Sequence, residues 1–105
     1  MGTLHYGGSA EPLTIEDGLL AHLKVVIATK LRRGESFILS WAHPDGSGRS
    51  TIWLHPAIPL RFVFADPAPS TLDPAWIAQL AATANRSGGV SIAPSDAIDH
   101  ASAGA

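Results

Sequence analysis

The sequence predicts a single small α+β domain, with elements in the order ββα-βββ-αβ and a mainly antiparallel sheet carrying both helices on one face. Three observations predict it. Two alternating runs, Phe37-Ile-Leu-Ser-Trp41 and Arg49-Ser-Thr-Ile-Trp-Leu-His55, flank a Gly/Asp-rich break, the pattern of a β-hairpin. Residues 17–33 carry apolar side chains at helical spacing and stop at Gly34. A second helical run opens at Asp73-Pro74 and stops at Gly88-Gly89.

Each element has a local reason. Thr3-Leu-His-Tyr6 and Pro12-Leu-Thr-Ile15 are short extended runs on either side of Gly7-Gly8, which suggests an opening hairpin. In the first helix Asp17 suits the N-cap and Gly34 the C′ position, and Lys30, Arg32 and Arg33 fall where the helix dipole favours cations. Leu19, Leu20, Leu23, Val26, Ile27 and Leu31 form one apolar arc, and Ala21, Val25 and Ala28 a second on nearly the opposite side. A helix apolar on two faces is sandwiched, so one face meets the sheet and the other the second helix or another chain. The central hairpin spans roughly 36–42 and 49–55. Pro56 and Pro59 interrupt the pattern before Leu60-Arg-Phe-Val-Phe64 resumes it. Trp76, Ile77, Leu80, Ala81 and Ala84 make the apolar face of the second helix, and Val90-Ser-Ile92 is the last strand. The domain therefore covers residues 1–93, and residues 94–105, rich in Ala, Ser, Asp and Gly, read as a disordered tail.

Bulk properties narrow the function classes. A chain of 105 residues with 46% hydrophobic and 15% charged residues has room for one core and a lean charged surface. A formal net charge of −2 gives no general footprint for nucleic acid. Without cysteine there is no disulfide, thiolate chemistry or Cys-based zinc site. No basic-then-apolar leader and no long apolar run occur, so the expectation is a cytoplasmic protein that does not engage membranes.

Three segments carry a family resemblance: Met1-Gly-Thr-Leu-His-Tyr-Gly7, Lys30-Leu-Arg-Arg-Gly-Glu-Ser-Phe37 and Ser50-Thr-Ile-Trp-Leu-His-Pro-Ala-Ile-Pro-Leu60. Over residues 1 to about 93 the chain resembles a family of short actinobacterial proteins with no assigned activity, often labelled ATP-dependent DNA ligase. The resemblance implies that label and no mechanism. Ligase-type adenylation uses the lysine of a Lys-x-Asp-Gly-x-Arg motif. The nearest match is His43-Pro-Asp-Gly-Ser-Gly-Arg49, with histidine in place of lysine and one residue too many before the arginine. The same residues read simply as a hairpin turn.

No catalytic residues, metal site or cofactor are expected. His5, His22, His43, His55 and His100 lack ligand spacing. Ser36, Ser40, Ser50, His55 and Glu35 lack a Gly-x-Ser-x-Gly elbow. The cations Lys30, Arg32, Arg33, His55 and Arg61, with Trp53 nearby, form a candidate anion or nucleic-acid site acting by charge and stacking. Trp53 lies opposite in parity to Ile52 and Leu54, so one of the tryptophans faces away from the core. With Ala21, Val25 and Ala28 it makes a candidate interface. The leading expectation is a non-catalytic binding or assembly module forming a homo-oligomer, most simply a dimer. The alternative is a nucleic-acid- or nucleotide-associated protein using the basic cluster.

Overall fold

The computed structural model describes residues 1–8, 12–43, 45–86, 88–92 and 97–98. In chain order the elements are β1 (Gly2–Tyr6), β2 (Leu13–Ile15), α1 (Asp17–Arg32), β3 (Phe37–Ala42), β4 (Arg49–Leu54), β5 (Leu60–Val63), α2 (Pro74–Ala84), β6 (Val90–Ile92) and β7 (Ala97–Ile98). The class is α+β, and the order read from the sequence holds through β6. The short strand β7 pairs antiparallel with β2 inside the segment read as a disordered tail. The rest of that segment, 94–96 and 99–105, lies outside the described residues.

The strands form two sheets where the sequence suggested one. The first has the order β5-β1-β2-β7 and the second β4-β3-β6, antiparallel except for the β3–β6 pair. The division falls at the proline-rich joint after β4. There the Ile58 amide donates to the His55 carbonyl in a turn, and Gly7 donates to the Pro59 carbonyl at 2.8 Å. Proline cannot extend a ladder by donation, so β5 leaves the hairpin and pairs with β1. The Tyr6 hydroxyl donates to the Trp53 carbonyl and ties the two sheets together.

One apolar core joins all the layers. Leu4, Leu13 and Ile15 from the first sheet meet Leu20, Leu23, Val26 and Ile27 of α1 and Phe37, Leu39, Leu54, Val90 and Ile92 of the second. Each such side chain contributes about 1.5–3 kcal/mol when fully buried. The first arc of α1 is thus the core face, as its spacing required.

The N-cap of α1 is Glu16 rather than Asp17: its carboxylate accepts from the Gly18 and Leu19 amides, both at 2.9 Å. Asp17 turns outward and accepts from Ala65 and Asp66 at 3.3 and 3.0 Å, which pins the bend after β5 to the helix. Those amides, Asp66 foremost, hold the Asp17 carboxyl below its usual value of 3.8.

The second helix docks on the polar flank of α1. His22 and Lys30 are the buried polar residues of the described chain, and each meets one end of α2. His22 Nδ1 lies 2.6 Å from the Gly18 carbonyl and donates to it, which leaves Nε2 to accept the Asp73 amide at 2.8 Å. The ring also packs on Trp76, with centroids 4.2 Å apart. Asp73 caps α2, and Asn85 closes it. At that end the Lys30 ammonium donates to Asn85 Oδ1. Clamping at both ends compensates for a helix in which Ala84 alone is fully buried.

Candidate functional site

The clamp at the C-terminal ends of the two helices opens into a cleft of about 580 Å³. Its walls come from four elements: Lys30 of α1, Glu35 to Ile38 at the entry to β3, Trp53 of β4, and Ala84, Asn85 and Arg86 at the end of α2. Local sequence explains each placement. Gly34 adopts φ +73°, which lets Gly34 and Glu35 donate back to the Leu31 and Lys30 carbonyls and brings Glu35 beside the helix end. The Glu35 carboxylate then stands 3.7 Å from the Lys30 ammonium. On β4 the alternation turns Arg49, Thr51 and Trp53 outward while Leu54 enters the core. Trp53 is 55% exposed, the spare tryptophan that parity anticipated.

The lining combines the Trp53 ring, an ammonium fixed by two neighbours, a guanidinium, a hydroxyl at Ser36, the Asn85 amide and the Glu35 carboxylate. Such a set can stack a ring, neutralise an anion and donate hydrogen bonds.

The sequence-predicted cations are distributed. Lys30 is 8% exposed and lines this cleft. Arg32 and Arg33 line a separate hollow of about 310 Å³ with Thr29. His55 is exposed in the turn after β4, its Nδ1 accepting the Ala57 amide at 3.0 Å. Arg61 faces a third hollow, between α1 and β5. Arg86 joins Lys30 in the cleft and was missed from sequence. Its signal was present, since it is the one cation between residues 73 and 92, but nothing local says that the end of the second helix returns to the end of the first.

The candidate interface is also divided. Ala21 is buried within the chain, Val25 half-buried and Ala28 exposed. Ala21 and Val25 line the α1–β5 hollow with Lys24, whereas Trp53 belongs to the cleft.

The histidines serve local structure. His5 bonds Thr3 at 3.1 Å, and His43 bonds Ser47 and Ser50 at 3.0 and 2.8 Å. His100 lies outside the described residues. The stretch nearest a ligase motif is the β3–β4 turn. Asp45 accepts the Ser47 amide at 2.9 Å, and hydrogen bonds from Ser47 hold its carboxyl below 3.8. Among the described residues no group of three or more His, Cys, Asp or Glu could hold a metal ion, and no helix is long and apolar enough to cross a membrane.

No curated protein and no solved structure is significantly similar to this chain. A family described as "Domain of unknown function (DUF7882)" matches residues 1–95, nearly the whole length, and the chain belongs to that family.

Proposed function

We propose that this protein is a non-catalytic binding module, and that the cleft between Lys30, Arg86 and Trp53 takes an anionic ring compound of the nucleotide class. One observation carries the reading: a half-exposed tryptophan face and two cations share one hollow of about 580 Å³, within the ~300–1,000 Å³ of small-molecule sites. A large exposed aromatic is unfavourable in water and gains from stacking, about 1–3 kcal/mol per base. The Lys30 ammonium is already ordered by Asn85 and Glu35, so holding an anion costs it little further side-chain entropy. This develops the nucleotide alternative and places Lys30, not the whole basic cluster, at its centre. Arg32, Arg33, His55 and Arg61 stay outside it.

Self-association has less behind it. Among the described residues the exposed large hydrophobics are Met1, Trp53 and Leu72, and single exposed residues of this kind are ordinary on a monomer. The reading gives a monomer by light scattering at micromolar concentration.

Calorimetric titration with AMP at low salt tests the proposal. Saturable binding is expected, weakened about tenfold or more (about 1.4 kcal/mol) by Trp53→Ala and by Arg86→Ala. Inorganic phosphate should compete weakly. Absence of AMP and phosphate binding at millimolar concentration, or AMP binding indifferent to both substitutions, would overturn it.

A further inference from the structure

The hollow between α1 and β5 has a different character. It encloses about 570 Å³; apolar side chains of α1, β5 and Leu72 line it together with the 66–70 segment, and its charged residues are Lys24, Arg61 and Asp66. It runs along an unpaired sheet edge. Strand β5 has β1 on one side and, among the described residues, no strand on the other.

The pairing register shows which backbone groups that edge offers. Gly7 donates to Pro59, and Tyr6↔Leu60, His5↔Arg61 and Leu4↔Phe62 follow. Bonded and non-bonded pairs alternate in an antiparallel ladder, so Leu60 and Phe62 belong to the pairs that do not bond across to β1. Their amides and carbonyls point away from β1, and among the described residues they make no other backbone hydrogen bond. Side chains alternate as well: Phe62 is half-buried beside the hollow, while Arg61 alternates with it and is exposed at the hollow's edge.

The charges lining the hollow lean positive, with Lys24 and Arg61 against the single carboxylate of Asp66. The Asp66 carboxylate accepts the Ala68 amide at 2.9 Å, and Asp17 is engaged by Ala65 and Asp66. Neither Lys24 nor Arg61 has a carboxylate partner among the described residues, and Lys24 instead lies 5.5 Å over the Phe64 ring.

We propose that this edge and hollow form a docking site for an extended peptide of alternating acidic and apolar residues, which adds to the first sheet as a strand beside β5. The Leu60 and Phe62 backbone groups supply the ladder. Apolar side chains of the peptide enter the hollow beside Val25, Phe64 and Leu72. Its acidic side chains, alternating with these, meet Arg61 at the hollow's edge, and its flank meets Lys24. This site is separate from the Lys30–Trp53 cleft and does not depend on it.

The probe is the acetylated, amidated pentapeptide Glu-Val-Glu-Val-Glu, titrated into the ¹⁵N-labelled full chain. Saturable shifts are expected at Val25, Leu60 and Phe62, with exchange of the Phe62 amide slowed at least about tenfold at saturation. The exposed substitution Arg61→Glu should weaken binding about tenfold. A peptide N-methylated at alternate amides, unable to complete the ladder, should not bind. Equal binding by the N-methylated peptide refutes strand addition. Saturable shifts with sodium octanoate but none with the pentapeptide would make the hollow an amphiphile site and overturn the proposal.

Discussion

Gly89 and Gly34 share a left-handed backbone, with φ +67° and +73°, yet their surroundings differ completely. A Cβ at Gly34 meets nothing within 4 Å. One at Gly89 falls 2.1 Å from the Ile38 carbonyl oxygen and 2.9 Å from its carbon. Alanine at either position incurs the left-handed cost of about 1–2 kcal/mol. At Gly89 the obstruction is backbone, so β6 must also move off β3, and overpacking of this kind adds about 1–3 kcal/mol. The strand that moves carries Val90 and Ile92, both buried. The expected losses are about 1–2 kcal/mol for Gly34→Ala and about 2–5 kcal/mol for Gly89→Ala, against a total of ~5–15 kcal/mol for a small domain. Urea unfolding followed by far-ultraviolet circular dichroism measures both. With a slope of about 1–3 kcal/mol per molar, the Gly89→Ala midpoint should fall well below that of Gly34→Ala. Coincident midpoints for the two variants would refute the close approach of the 88–90 turn to β3.

Three further outcomes are expected. Replacing the buried His22 by alanine should cost about 2–4 kcal/mol and speed exchange of the Asp73 amide more than amides of α1, because that amide loses its acceptor, the ring leaves a cavity and Trp76 loses its neighbour. Tyr6→Phe should cost about 1 kcal/mol in the same unfolding assay, by removing the hydroxyl that links the sheets. The Asp17 carboxyl is held below 3.8 in the folded chain, so its contribution is present at neutral pH and is lost as pH falls through its folded value. Stability measured from pH 7 down to about pH 2.5 should therefore decline less steeply in Asp17→Asn than in wild type.

Much of the fold was legible because its cues are local. Asp73-Pro74 opens α2 where a cap and an N1 proline belong, and Gly34 closes α1 with the positive φ that glycine tolerates. Parity along β3 and β4 required one tryptophan to face outward, and Trp53 is the exposed one. The cap of α1 was misassigned by one residue. Glu16 and Asp17 can both accept amide hydrogens, and the choice depended on the bend at 65–66, which takes Asp17 from nearly fifty residues away.

The candidate site was less legible. Lys30 and Trp53 were named for separate roles, in an anion cluster and an interface, and the fold brings them into one cleft. Arg86 reaches it only because α2 lies along α1 with matching ends together, held by His22 and Lys30. In the sequence His22 reads as a polar flank residue and Lys30 as a last-turn cation, and their roles in the helix pair become visible only once their partners across the fold are known.

The sequence by itself determined the kind and order of the elements through β6, which arc of α1 enters the core and that a tryptophan stays outside, since periodicity, capping and turn chemistry act within a few residues. Tertiary structure alone decided that β5 leaves the central hairpin for β1, that β6 joins β3 in parallel, and which hollow each cation faces. Those outcomes rest on long-range pairings, and a backbone amide carries no record in its side chain of the distant carbonyl it will meet.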